Sequence, residues 1–285
     1  MRPSDRPEPE SPSNAADPIR LLRFPGLAAL PGVGHAVSQR SGGVSRPPYA
    51  SLNLGLHVGD RPESVIENRR RLAEALGTTL DALCFAEQVH GAEVARVGPD
   101  QRGRGARSLA DALPGADALI SDLPGTWLVI LVADCVPILL ADPRRGVVGV
   151  AHAGWRGSVQ GVAARTVAAI CAGFGSRPAE LHAAIGPSIG PADFEVGPEV
   201  AAAFAEAFPE ARNAVIQPGD GDRSRVDLWS ANRIQLERAG LDPARIELSG
   251  RSTASDTGRW FSHRAEAGRS GRFAAAIALD GPARG

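Results

Sequence analysis

The chain has 285 residues, 43% hydrophobic and 22% charged, a mix that supplies a sizeable core and suits one large domain. Its formal net charge of −1 leaves no basic field to hold nucleic acid or an anionic membrane, so neither is an expected partner. Every basic side chain is arginine, and the absence of lysine excludes a Schiff base, a lysine general base and a Walker-type phosphate lysine.

In chain order, residues 1–19 are polar, acidic and proline-rich, with no apolar core of a secretory signal, and are expected to form a disordered tail. Residues 20–285 show no linker and no internal repeat, so they read as a single domain. "RPESVIENRRRLAEALG" (61–77) predicts a helix, with Pro62 at its start and Gly77 at its end. "ALCFAEQV" (82–89), "DALISD" (117–122), "WLVILVA" (127–133) and "GVVGVAHA" (146–153) read as strands, short apolar runs between Gly, Pro and Asp. "GSVQGVAARTVAAICAGFG" (157–175) and "GPEVAAAFAEAF" (197–208) predict helices. "DLWSANRIQLERAG" (227–240) predicts another, with Asp227 as N-cap and Gly240 past its end. "FAAAIAL" (273–279) closes the chain as a strand. Helices interleaved with apolar strands give an α/β (α+β) layered fold. No apolar stretch reaches membrane-spanning length, since "WLVILVADCVPILL" carries an Asp and a Pro. Three scattered cysteines make no disulfide framework and point to a reducing, cytoplasmic setting.

The first helix holds an anomaly. At about 100° per residue, Val65, Leu72 and Leu76 form one stripe, and Arg69 falls within it. A guanidinium aimed at the core needs an anion. That anion is either an internal Asp or Glu, or a phosphate or carboxylate bound in a site.

Three strand ends carry reactive side chains: His90 in "EQVHGAEV", Cys135 in "VADCVP" and His152 in "AHAGWRG". Strand ends are where side chains converge on a cleft. Two histidines and a cysteine make a zinc set whose three ligands leave the fourth tetrahedral position for water. Their spacings, 45 and 17 positions, match no zinc finger or ribbon, so core histidines and an inert buried cysteine are the plain alternative. Strand alternation turns Asp134 away from Cys135, which favours a structural role for it. Cys84 and Cys171 read as core residues.

"QVHGAEV", "ADALIS", "ADCVPILL", "AHAGWRG", "AIGPSIGPADFEVGPEV" and "FSHR…GRFAAAIAL" occur in this order, preceded by "SGGVSRPPYASLNLGLHVGDRPESVIENRRRL". Together they resemble the polyphenol oxidase, or laccase-domain, family of zinc-dependent purine nucleoside phosphorylases, from about residue 33 to residue 279. The resemblance implies a single catalytic domain with mixed β-sheets flanked by helices. It implies one zinc ion held by His90, Cys135 and His152, which are also the catalytic set. It further implies phosphorolysis of adenosine, inosine or methylthioadenosine, with inorganic phosphate as co-substrate, and adenosine deaminase activity. Arg69 matches a family site arginine and is the candidate for phosphate. Asn53, in "SLNLG", is a weaker candidate for substrate contact. With lysine absent, Arg156, near the following helix start, is either a further anion contact or a solvated turn residue. The assembly expected is a monomer or homodimer.

The sequence departs from the family in two places. Ser252 stands where relatives often have cysteine, and His263 where they often have tyrosine. Two rival activities remain, of which the first uses the same residues. One is a metal-free cysteine hydrolase with Cys135 as nucleophile and His152 or His90 as base. The other is a copper-dependent polyphenol oxidase, for which six histidines, only two of them in the reactive motifs, are too few.

Overall fold

The computed structural model describes residues 17–281, so most of the tail expected at 1–19 lies outside the described residues; Ile19, at its edge, packs against the core. The described strands are β1 (Leu21–Leu22), β2 (Val33–Ser38), β3 (Leu83–Phe85), β4 (Val94–Arg96), β5 (Ala118–Ser121), β6 (Trp127–Val132) and β7 (Val136–Asp142). They continue with β8 (Val147–Ala153), β9 (His182–Ile185), β10 (Glu195–Val196), β11 (Ile216–Pro218), β12 (Ser224–Val226), β13 (Ile246–Leu248) and β14 (Phe273–Leu279). The α-helices are α1 (Pro25–Ala28), α2 (Pro62–Ala75), α3 (Trp155–Val159), α4 (Val162–Phe174), α5 (Pro198–Ala207), α6 (Arg212–Val215) and α7 (Leu228–Arg238).

Two mixed sheets stack face to face. One has the order β1-β2-β14-β6-β3, the other β13-β9-β7-β8-β5-β4; a small antiparallel sheet, β10-β12-β11, lies apart. The layering follows from side-chain alternation. In β7, Leu139 and Ala141 face the other sheet, where they meet Leu128 and Ile130 of β6 and Ile277 of β14. Val136, Ile138 and Leu140 face outward and are covered by Val167 and Ile170 of α4, Phe204 of α5 and Leu236 of α7. The outer face of the five-stranded sheet is covered by Leu72 and Ala73 of α2. Central strands buried on both faces explain why these segments are apolar throughout rather than alternating.

The expected α/β layered fold with mixed sheets and flanking helices is therefore the observed one. Its details differ in two respects. The helix expected at 157–175 is two helices, because Gly161 adopts the left-handed conformation (φ 80°) between α3 and α4. Nine of the described strands escaped the pattern reading: β1, β4 and β10 to β13, which are only two or three residues long, β2 and β9, which are rich in Gly, Ala or His, and β7, which contains Pro137. The proline is tolerated because it is the second residue of the strand and pairs only with β8; the ladder to β9 begins at Ile138.

Candidate metal centre and its cavity

The chain crosses between the two large sheets at the point where the reactive residues lie. β6 of the first sheet ends at Val132, β7 of the second begins at Val136, and Ala133–Cys135 form the crossing. Asp134 takes the left-handed conformation (φ 81°), which interrupts strand alternation. Its Oδ1 accepts from the Thr253 hydroxyl at 2.6 Å and its Oδ2 from the Arg264 N–H at 2.6 Å. This carboxylate thus fixes the crossing, as a structural role requires, although the residue also borders the cavity described below. Beyond it, Cys135 rejoins the alternation of Pro137 and Leu139 and packs at the edge of the inter-sheet core. In β8, His152 shares the face of Val148 and Val150, and its cross-strand partner is Pro137. Cysteine and imidazole therefore meet at one open end of the inter-sheet layer.

His90 reaches the same place from the loop between β3 and β4, also in the left-handed conformation (φ 61°). Asp117, fully buried just before β5, holds that loop. Its carboxylate accepts from the backbone N–H groups of Val89 (3.2 Å), His90 (3.0 Å) and Gly91 (2.6 Å). Its Oδ1 also lies 2.8 Å from Nδ1 of His152. The Gln88 amide adds a two-way clasp on Leu131 of β6, donating to its carbonyl and accepting from its N–H, each at 2.8 Å.

The donor atoms of His90, Cys135 and His152 all lie within 4.8 Å of one another, and the two imidazole rings meet edge to face with centroids 4.8 Å apart. Zinc–sulfur and zinc–nitrogen bonds of about 2.3 and 2.0 Å in a tetrahedron need donors at somewhat closer range, so small side-chain adjustments suffice. A ligating histidine that presents its other nitrogen to a buried carboxylate is the usual supporting arrangement. The residues present fit a divalent metal ion.

Burial alone would raise the Cys135 thiol, but His152 and His90 beside it pull it down to about 6. Burial alone would lower His152, yet the Cys135 sulfur and the Asp117 carboxylate raise it to about 9. Asp117 is opposed by burial, but His152 and the N–H groups of Gly91 and Val89 hold its carboxyl below the usual range. A thiolate supplied at neutral pH is what a metal requires of its ligand.

Glycine makes this convergence possible. A Cβ at Gly154 would lie 3.0 Å from the Cys135 sulfur and 3.1 Å from Cδ2 of His90, and one at Gly157 would lie 2.8 Å from the Gly91 carbonyl oxygen. The glycines of "AHAGWRG" leave the space in which the other two donors pack against the end of β8.

The three donors form part of the wall of a cavity of about 600 Å³. Trp155, Phe194, Ile189 and Leu228 line its α3/α7 side; Phe85, Arg69, His57 and Arg272 line its α2 side. His57 is held as a neutral imidazole, lowered to about 4 by burial and by the nearby Arg272 and Arg69.

Arg69 is fully buried, as its place on the apolar stripe implies, and it borders the cavity. Among the described residues neither Asp nor Glu forms an ion pair with it, although the Asp111 carboxylate acts on it at longer range. Its Nε donates to the Leu54 carbonyl at 2.8 Å, its Nη1 to those of Gly105 (2.5 Å) and Ala106 (3.0 Å), and it lies 4.0 Å above the Phe85 ring centroid. Asn53, expected at the substrate, is instead buried behind the wall. Its amide nitrogen donates to Asp60 and Gly55, and its oxygen accepts from the N–H groups of Gly55 and Arg272, which leaves it no free face for a ligand. Arg156 borders the cavity, exposed and stacked on Trp155 at 4.3 Å; His263 borders it too. Ser252 does not: its hydroxyl donates to Asp193 at 2.5 Å and accepts from Gly190 N–H at 3.0 Å, a loop-tying role that needs no thiol.

The sequence reading missed Asp117, Gln88 and Arg272. Asp117 carried a signal, a carboxylate at the head of an otherwise apolar strand. Gln88 and Arg272 carried none, because their roles lie in long-range backbone contacts.

A family described as multi-copper polyphenol oxidoreductase laccase matches residues 34–280. Similar curated proteins are named purine nucleoside phosphorylases. One from Deinococcus radiodurans is 42% identical over 92% of this chain and 93% of its own length. YlmD of Geobacillus stearothermophilus is 39% identical over 88% and 92%, and YfiH of Escherichia coli 39% over 87% and 94%. Among solved structures, YlmD of G. stearothermophilus superposes with a TM-score of 0.87 at 39% identity, covering 91% of this chain and 96% of that one. Protein NMB0706 of Neisseria meningitidis gives 0.79 at 33% identity, covering 93% and 100%.

Proposed function

Because this chain belongs to the multi-copper polyphenol oxidoreductase laccase family, we propose that it is a purine nucleoside phosphorylase, as its curated relatives are named, and that it depends on zinc. The proposed substrates are adenosine, inosine and methylthioadenosine, with inorganic phosphate as co-substrate; adenosine deaminase activity accompanies phosphorolysis. One observation carries the reading: His90, Cys135 and His152 converge to within 4.8 Å, backed by buried Asp117, in the wall of a cavity large enough for a nucleoside.

Zinc in this N₂S set would supply a Lewis acid with one open coordination position. The chain's own residues supply the rest. Asp117 fixes the tautomer of His152 so that Nε2 faces the site. Trp155 and Phe194 offer aromatic faces for a purine. Arg69, hydrogen-bonded to carbonyls and to no acid among the described residues, offers a guanidinium to phosphate. In phosphorolysis a phosphate oxygen bonds to the anomeric carbon as the glycosidic bond breaks, its electron pair leaving with the base. In deamination, water replaces the amino group and ammonia departs.

A multi-copper chemistry needs a second, imidazole-rich cluster. Among the described residues, which include all six histidines, one group alone brings three candidate donors together. Asp117, His152 and Cys135 also line up as orienter, base and nucleophile, so a metal-free cysteine hydrolase is the second reading. Stoichiometric zinc that disappears in Cys135→Ala ends that option; iodoacetamide inactivation of metal-free protein supports it.

The deciding assay is zinc-loaded protein with adenosine and phosphate. Adenine and ribose 1-phosphate are expected, with neither formed when phosphate is omitted. Release of neither adenine nor inosine defeats the proposal. The three free cysteines suit a cytoplasmic enzyme, and the proposed monomer or homodimer is measured by light scattering. No described helix is long and apolar enough to cross a membrane.

A further inference from the structure

We propose that Arg272 joins Arg69 in an oxyanion subsite on the α2 side of the cavity, and that this subsite binds the phosphate co-substrate, leaving the α3/α7 side to the purine. The assignment of the anion as phosphate rests on the function proposed above; the subsite itself rests on geometry.

One residue couples the two arginines. The N–H of Leu54 donates to the Arg272 carbonyl at 2.9 Å, while the Leu54 carbonyl accepts from Arg69 Nε at 2.8 Å. On either side, Asn53 Oδ1 accepts from the Arg272 N–H, and Gly55 gives the Arg272 stem its space; a Cβ there would lie 2.9 Å from Arg272 Cγ. The segment 53–55 thus sets both arginines in one wall.

Both guanidinium groups are partnered only by neutral oxygens. Arg272 Nη1 donates to the carbonyls of Ser270 and Gly271, each at 2.9 Å, and to the Ser270 hydroxyl. The hydrogen bonds of Arg69 use Nε and Nη1 and leave Nη2 outside them. Among the described residues neither arginine makes a salt bridge, whereas Arg70 and Arg71 on the same helix pair with Glu67. Asp134 is committed to Thr253 and Arg264, and Glu87, the other acid bordering the cavity, is exposed. Two positive charges, one fully buried, share a cavity wall with no carboxylate in hydrogen-bond contact among the described residues; Asp111 acts on Arg69, and Cys135, Asp134 and Glu266 on Arg272, only at longer range. Carbonyl partners orient a guanidinium without neutralising it, which preserves its charge for a ligand.

Aromatic residues on the opposite side complete the partition. Trp155 and Phe194 pack with the cluster outside the six-stranded sheet, Phe85, over which Arg69 lies, belongs to the cluster outside the five-stranded sheet, and Cys135 packs with the inter-sheet cluster. Phosphate and purine then approach the sugar from opposite ends, as in-line displacement at the anomeric carbon demands.

The test uses full-length zinc-loaded protein and inorganic phosphate, with wild type, Arg272→Gln and Arg272→Lys. The expected result is phosphate binding to wild type by calorimetry and, in Arg272→Gln, a rise of about tenfold or more in KM for phosphate, with nucleoside KM changed less than about twofold. Arg272→Lys, which keeps the charge but not the fork, falls between. A second measurement needs no variant: phosphate should protect Arg272 of wild type from phenylglyoxal, read by peptide mass spectrometry. Unchanged phosphate KM in Arg272→Gln, or equal modification of Arg272 with and without phosphate, overturns the subsite. If wild type binds phosphate through Arg272 yet cleaves no nucleoside, the subsite stands and the phosphorylase reading falls. If wild type phosphorolyses adenosine but Arg272→Gln does so with unaltered constants, the reverse holds.

Discussion

Asp117 and His152 stand 2.8 Å apart, carboxylate oxygen to Nδ1, in a fully buried contact at the end of the inter-sheet layer. The same carboxylate takes three consecutive N–H groups of the loop that carries His90. One acid therefore positions two of the three donors, although they lie on opposite sides of it in sequence.

Asp117→Asn should weaken zinc binding about 10- to 100-fold, the usual loss when the carboxylate behind a ligating histidine is removed. Competition with a chromophoric chelator measures it. Because the Asp117 pKa is depressed in the folded chain, its contribution to stability is present above the ordinary carboxylate range and is lost as pH falls through the folded value. The Asn variant should lose that part of the acid limb of a thermal-midpoint profile. Unchanged zinc affinity would remove Asp117 from the supporting role.

Gly154→Ala should empty the site without touching a ligand. The added methyl would sit 3.0 Å from the Cys135 sulfur and 3.1 Å from His90, so one donor must move. Gly173→Ala in α4 is the contrast: nothing lies within 4 Å of its Cβ, and a stabilisation of up to about 1 kcal/mol is expected. Zinc content by elemental analysis, with thermal midpoints for both variants, decides the matter. Full zinc occupancy in Gly154→Ala would show that the packing is looser than described.

Zinc loading should release a proton from His152. With His152 raised to about 9 and Cys135 lowered to about 6, the metal-free site between those values holds an imidazolium beside a thiolate. Zinc needs both deprotonated, so its apparent affinity should rise by about tenfold per pH unit across that window and level off above it. In the metal-free chain the signs are opposite. The raised His152 contributes stability fully below its ordinary 6.5, lost as pH rises toward 9; the depressed Cys135 contributes above its ordinary 9.0, lost as pH falls toward 6. Calorimetry in buffers of different ionisation enthalpy counts the proton, and a count of zero contradicts the assignment.

Arg69→Met should destabilise the fold by about 2–4 kcal/mol, since three buried carbonyls lose their donor. Arg70→Ala, one position along, removes only exposed pairing with Glu67 and Glu74 and should leave the urea midpoint nearly unchanged. Similar midpoints for the two variants would refute the distinction.

Much of this was legible in the chain itself. The apolar runs of β6 and β8, the caps of α7 and the placement of Arg69 on the buried face of α2 follow from local periodicity and turn chemistry. Those depend on neighbours a few positions away. The donors were legible as types, two imidazoles and a thiol at strand ends, without the distances between them. The reading failed where a local rule was overridden from far away. Alternation at Asp134 is broken by a left-handed turn held by Thr253 and Arg264, more than a hundred positions downstream. Asn53 reads as a free polar side chain until Arg272 closes over it.

Sequence alone determined the layered fold, the reactive residue types at the strand ends and the inward place of Arg69, because burial patterns and residue chemistry are properties of single segments. Only tertiary structure decided that the donors meet, that Asp117 holds two of them and that Arg272 stands beside Arg69. Those facts depend on where β6 hands over to β7 and where segment 53–55 meets β14, and such long-range pairings leave no local trace in composition or period.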